Sequence, residues 1–280
     1  MTTARKKQSD TIVADAIAAV QRGEAGAARD ALEALIAEDP GHAQAQHVMG
    51  VLLLQSGDAV RAVAHLKIAA GAVADPSVGI NLAIALAQTG KSDEAQAVLV
   101  PIAEANPGNT QAAFNLGHLL AHSGKPADAE VWLRRSTTLD PGYVPAWSDL
   151  GALLLDDGRL DQAATCFARV LDLEPGNRPA RFNMALVDHR QGRYAQACRA
   201  FEHCRAEAGT TREIILGLGA SLQELGRIQD ALAHYRVLLA DDPDAYLLVL
   251  KNLTGCSRGL SVTRPSALRN LLGMDQLPDR

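Results

Sequence analysis

Residues 147–175 read WSDLGALLLDDGRLDQAATCFARVLDLEP. Gly158 sits at the middle of this stretch, where a chain reversal between two antiparallel helices needs a residue free to take positive φ. Seven residues earlier stands Gly151, five later Ala163, and four beyond that Phe167. Small residues at 151 and 163 let two helices cross at close range, and the large side chain at 167 fills the groove that results. The stretch closes on Glu174-Pro175, where proline ends the second helix.

The same spacing recurs along the chain. Turn glycines fall at 23, 57, 90, 124, 158, 192 and 226, separated by 34, 33, 34, 34, 34 and 34 residues. Each is followed at +5 by alanine (Ala28, Ala62, Ala95, Ala129, Ala163, Ala197, Ala231) and then by a large residue (Leu32, Leu66, Leu99, Leu133, Phe167, Phe201, Tyr235). Each is preceded at −7 by a small residue: Ala16, Gly50, Ala83, Gly117, Gly151, Ala185 or Gly219. Most units end in an acidic or polar residue and proline, as at 39–40, 75–76, 106–107, 140–141, 174–175 and 242–243. A helix–turn–helix unit of this kind buries its faces only by stacking on its neighbours.

The pattern resembles the tetratricopeptide repeat family, and unit five carries it most fully with Trp147, Leu150, Gly151, Ala163, Phe167 and Pro175. Other units depart at the tryptophan position, where Gly79, Ala113 or Arg181 stands. The resemblance implies an all-α fold, a right-handed α-solenoid of about seven repeats. The units start at 9, 43, 76, 110, 144, 178 and 212 and run through residue 245. Residues 1–8 are expected to be flexible, and 246–280 to hold a capping helix and a tail. Tyr246–Cys256 is the expected cap, because Pro265 stands where an eighth unit would need its central alanine. The stretch RPSALRNLLG, 264–273, reads as one more short amphipathic helix. Gly151→Leu is expected to force units four and five apart.

In the family, the sixth position of each first helix faces a concave groove. Here it holds Ala14, Val48, Asn81, Asn115, Asp149, Asn183 and Gly217. The run of asparagines is similar to a ladder in the repeat domains of O-GlcNAc transferases, where side-chain amides grip the backbone of an extended peptide. An amide supplies both a donor and an acceptor, so it pairs with peptide N–H and C=O whatever the peptide's side chains. His47, Ile80, Phe114, Phe182 and Leu216 precede these positions, and Ile84, His118, Leu186 and His189 follow. Arg190 is nearly the sole cation expected there, so the paired-cation clamp of the family's chaperone-binding members is missing. Asp149, Asp156, Glu213 and Glu224 suit a neutral to mildly basic, partly apolar segment.

Residues 114–124, FNLGHLLAHSG, place Asn115, His118 and His122 on one helical stripe beside Phe114. Two histidines fall short of the three or four ligands a metal needs, so the stripe reads as peptide contact and no metal is expected. Asp188 reads as a partner of Arg190 or a tolerated rim residue. Cys166, Cys198, Cys204 and Cys256 lack metal or redox spacing and read as reduced packing residues.

The chain has 280 residues, 48% apolar but only 4% aromatic, and a net charge of −5. That balance argues against nucleic acid as a partner. No signal peptide or membrane-spanning run is evident, so a cytoplasmic setting without membrane contact is expected. No nucleophile–base set, phosphate loop or carboxylate pair stands out, so neither enzymatic activity nor a cofactor is expected. The reading is a scaffold that holds a protein or peptide partner. Its rivals are self-association, with 264–273 as the ligand of a second copy, and service as an accessory subunit to a glycosyl- or sulfotransferase on another chain.

Overall fold

The computed structural model describes residues 3–209, 211–255 and 271–272. They form helices throughout: α1 (Thr3–Gln21), α2 (Ala25–Glu38), α3 (Ala43–Gln55), α4 (Ala59–Ala72), α5 (Pro76–Gln88), α6 (Ser92–Ala105), α7 (Thr110–His122) and α8 (Pro126–Leu139). Then follow α9 (Val144–Asp156), α10 (Leu160–Leu173), α11 (Arg178–Arg190), α12 (Tyr194–Ala208), α13 (Arg212–Glu224), α14 (Ile228–Asp241) and, after a 3₁₀ turn at Pro243–Ala245, α15 (Tyr246–Gly255). The architecture is an all-α array of consecutive helix–turn–helix repeats. The chain divides into two compact bodies, Met1–Ala146 and Trp147–Arg280.

One turn type joins the two helices of each pair. The periodic glycines all have φ between 72° and 82°. At Gly124, for example, the glycine N–H donates to the Ala121 carbonyl (3.2 Å) and the following Lys125 N–H reaches back to Leu120 (3.0 Å). These two bonds satisfy carbonyls that a helix C-terminus otherwise leaves open, the Schellman arrangement. A Cβ on Gly124 or Gly158 would meet nothing within 4 Å, so backbone conformation alone selects glycine there.

The small residue seven places earlier is selected by space. A Cβ on Gly117 would lie 2.8 Å from Leu133 Cγ, and one on Gly151 would lie 2.7 Å from Phe167 Cε1. The large residues Leu32, Leu66, Leu99, Leu133, Phe167, Phe201 and Tyr235 are all 0–1% exposed, as are the central alanines. The obstacle at Gly151 is therefore the second helix of its own pair, not the neighbouring unit. Gly217, expected to face the groove, likewise lies against the Phe201 ring of α12.

Inter-pair linkers are held through their proline carbonyls. Gln46 donates to Pro40 (2.7 Å), Arg135 to Pro107 (2.9 Å) and Arg181 to Pro175 (2.6 Å). The N-terminus departs from expectation. Helix α1 begins at Thr3 rather than 9, because the intervening Ala4, Arg5, Lys6, Lys7 and Gln8 are good helix formers with no breaker among them.

In the second body, α15 packs on α13 through Val249 and Leu253, both fully buried. A polar network fixes it. Tyr235 Oη donates to Asn252 Oδ1 (2.9 Å), Gln223 Nε2 donates to Tyr235 Oη (2.9 Å), and Asn252 Nδ2 donates to the Leu216 carbonyl (3.1 Å). Leu272 joins this core, and Arg236 donates to the Leu271 carbonyl (2.7 Å). The rest of the expected 264–273 helix, and Cys256, lie outside the described residues. Cys166, Cys198 and Cys204 are buried and form no disulfide; burial pushes the Cys198 thiol up to about 11.

The two kinds of glycine should separate by mutation. Gly158→Asn should be nearly neutral and Gly158→Ala should cost about 1–2 kcal/mol, the penalty for a left-handed alanine. Gly151→Asn and Gly151→Leu should each cost about 1–3 kcal/mol or more by overpacking against Phe167. Denaturant titration checks the ranking, and a Gly151→Asn chain as stable as Gly158→Asn would refute the assignment. For the cap, Asn252→Ala should cost about 1–3 kcal/mol by leaving buried Gln223 and Tyr235 groups short of partners. Faster amide exchange in α15 than in α7 would show the loss to be local.

Candidate functional site

In the first body, the first helices α1, α3, α5 and α7 lie side by side, each touching the next. Between α5 and α7 opens a cleft of about 340 Å³. Ile84 and Ala87 form one wall, Phe114 and His118 the other, with Leu99 and Leu119 among the lining and Gln88, Asn115 and His122 adding polar groups. A smaller, almost wholly apolar cleft lies between Ile17 and Val20 of α1 and Val48 and Val51 of α3.

The 114–122 stripe is a ladder of rings. Tyr143 meets Phe114 edge-on (centroids 5.3 Å apart, 74°), Phe114 lies 5.7 Å from His118, and His118 lies 4.3 Å from His122. His122 Nδ1 lies 2.9 Å from the His118 carbonyl, which can only accept, so that nitrogen carries the proton. Its Nε2 is then the acceptor when the ring is neutral. Asn115 is oriented in the same way: Nδ2 donates to the Gln111 carbonyl (2.8 Å), leaving Oδ1 and a second N–H for other partners.

Asn81 stands off from this group. Its Nδ2 donates to His47 Nε2 across α5 and α3 (2.8 Å). Burial holds His47 below the usual imidazole range, with Asp75 opposing it, which suits Nε2 as an acceptor. Ile80, expected to line the groove, is 4% exposed and belongs to the core.

In the second body, Asp149 and Asn183 are half-buried on α9 and α11. No side-chain hydrogen bond of Asn183 closes within the described residues. Phe182 packs edge-on against Phe201 (5.7 Å). His189 Nδ1 lies 2.9 Å from Ser221 Oγ, whose hydroxyl donates to the Gly217 carbonyl, so the imidazole N–H is the donor. Burial lowers the His189 pKa; Glu224 opposes this and Arg190 adds to it. Arg190 donates to the Leu155 carbonyl in the last turn of α9 (2.6 Å), so its charge is directed to a helix end. Asp188, read as a partner of Arg190 or a tolerated rim residue, pairs instead with Arg193 (2.7 Å), which lies just past the turn and reaches back.

The structure thus brings Phe114, Asn115, His118 and His122 into one cleft and leaves Asn81 one helix interface away. Sequence reasoning missed Tyr143, Gln88 and Ala87. Tyr143 sits in a linker outside the helical period, and its rarity in a chain with 4% aromatics was the one signal available. Among the described residues, no three His, Cys, Asp or Glu side chains converge as metal ligands, and no helix is long and apolar enough to cross a membrane.

Tetratricopeptide repeat models match residues 13–77 and 80–144, 120–186, 179–203 and 213–245. The chain belongs to the tetratricopeptide repeat family. No curated protein matches it. Among solved tetratricopeptide structures, PilW, titled a widely conserved type IV pilus biogenesis factor, is 19% identical with a TM-score of 0.67, over 74% of this chain and 96% of PilW. A repeat protein from Parabacteroides merdae is 15% identical with a TM-score of 0.62, over 97% and 100%. YrrB, described as having an unusual peptide-binding site, is 20% identical with a TM-score of 0.53, over 67% and 97%. At these identities the likeness establishes the fold.

Half-buried imidazoles make stability depend on pH. Burial lowers the pKa of His47, His65, His189 and His234. Their unfolded value is about 6.5, so between folded and unfolded values the unfolded chain binds more protons. Their contribution is complete above about pH 6.5 and is lost as pH falls through the folded values. Tm should drop between pH 7 and pH 5, with a shallower slope in a His47→Gln/His189→Gln chain. An unchanged Tm over that range would contradict the burial of these rings.

Proposed function

We propose that the chain is a non-enzymatic scaffold that holds an extended segment of a partner protein against its first-helix faces. Tetratricopeptide repeat proteins are in general non-catalytic scaffolds that bind protein or peptide partners, and the finer reading builds on that. The observation that carries it is the α5–α7 cleft: an apolar lining wide enough for a side chain, with Asn115 held by its own helix so that a carbonyl and an N–H remain to meet a peptide backbone. Asn81 and, in the second body, Asn183 take the corresponding role, with Asp149 between them in sequence. Phe114, His118, His122, Phe182 and His189 supply the flanking surface, while Arg190 is committed to Leu155. The peptide-binding site named for YrrB, a protein of similar fold, lends support.

In this reading the partner segment is neutral to mildly basic and partly apolar, as Asp149, Asp156, Glu213 and Glu224 favour. The setting is cytoplasmic, consistent with three buried cysteines that form no disulfide, and no cofactor is needed. Self-association through 264–273 is the weaker reading, since Leu272 packs into its own chain.

A crosslinked partner, recovered and reduced to its binding segment, supplies the ligand for calorimetry. Each amide should contribute about 0.5–1.5 kcal/mol net. Asn81→Ala/Asn115→Ala should therefore weaken binding by about 1–3 kcal/mol, with native helicity by circular dichroism. Undiminished affinity would move the binding surface away from the first helices.

A further inference from the structure

The first-helix face of Met1–Ala146 has a composition that the other helices lack. α3, α5 and α7 contain no Asp, Glu, Lys or Arg; His47, His118 and His122 are their titratable side chains. The intervening second helices are charged: Arg61 and Lys67 on α4, Asp93, Glu94 and Glu104 on α6, Asp128, Glu130, Arg134 and Arg135 on α8. Many of these charges are exposed and some pair with one another, as Lys67 does with Glu94 (3.2 Å) and Arg134 with Glu130 (2.7 Å). In the second body the first helices do carry charge, including Asp149, Asp156, Arg181 and Glu213. The acidic residues that favour a mildly basic segment all belong there.

We propose that the α3–α5–α7 face selects an uncharged segment of a partner protein, seating one apolar side chain between Ile84, Ala87 and Phe114 while the amides of Asn81 and Asn115 meet its backbone. The inference rests on the peptide-groove reading and adds its selectivity. Covering this face removes water from whatever lies on it. A carboxylate or ammonium buried there would lose its hydration and find no opposite charge on three successive helices, a cost far above that of burying an apolar group. Neutral imidazoles do not compensate a carboxylate, and partly protonated ones repel a cation. Selectivity thus arises by exclusion: an uncharged segment loses little, and a charged one loses its solvent with nothing in return.

Panning the full chain at neutral pH against a random dodecapeptide library tests this, with two plugged chains as counter-targets. Ala87→Trp fills the cleft from α5, and His122→Trp fills it from an exposed position where the fold is not at stake. Enriched peptides should share a stretch free of Asp, Glu, Lys and Arg around an apolar residue. They should bind both plugged chains about tenfold or more weaker, and a single Lys or Glu in place of the apolar residue should weaken binding about as much. Peptides blocked by both plugs but charged at the seated position would overturn the selectivity while leaving the groove reading intact. Peptides indifferent to both plugs, or no enrichment at all, would sink both. Plug-sensitive dimerisation in sedimentation would instead make a second copy of the chain the occupant, against the proposal.

Discussion

Everything in each body depends on a large side chain lying across a residue too small to obstruct it. Leu66 lies over Gly50, Leu133 over Gly117, Phe167 over Gly151 and Tyr235 over Gly219. The contact brings the two helices of a pair close enough that the large residue is removed from water entirely, and a buried leucine or phenylalanine stabilises by roughly 1.5–3 kcal/mol. It also fixes which side of each first helix is consumed by packing. In the first body the remaining side is what α1, α3, α5 and α7 present in a row, and the clefts between them follow from it. That open first-helix surface is a by-product of the core geometry, which is why it recurs at the spacing of the repeat.

The electrostatics follow the same division of labour. Second helices in the first body carry exposed charges, while α3, α5 and α7 carry none. Polar groups on that side are amides and imidazoles, and the structure shows them restrained rather than idle: Asn81 by His47, Asn115 by Gln111, His122 by the His118 carbonyl. Restraint of this kind lowers the ordering cost of any later contact.

Fold was legible because the period repeats one spatial relation. A glycine at a turn and a glycine under a side chain look alike in a sequence, yet their offsets of 7, 5 and 4 residues distinguished Gly158 from Gly151. What sequence could not show was where a side chain ends. Ile80 and Asn81 are neighbours, and only the rotation of α5 about its axis sends one into the core. Asp188 had Arg190 and Arg193 within reach, and the Schellman turn decided for the latter by folding Arg193 back. The division at residue 146 was invisible for another reason: it falls inside the first turn of α9, within a unit whose sequence pattern runs on unbroken.

The network of Gln223, Tyr235 and Asn252 bears on how such an array can grow. Tyr235 occupies the place that Phe167 and Phe201 hold in the preceding pairs, and differs by a hydroxyl whose partners come from α13 and α15. Copied inward by gene duplication, the last pair would bury that hydroxyl against an ordinary first helix without an Asn252 to receive it. The pairs built on phenylalanine or leucine carry no such demand and can be inserted or removed in register. Lengthening is therefore open to the interior of the array and closed at its end, so the terminal pair defines a fixed boundary while the number of pairs before it is free to drift.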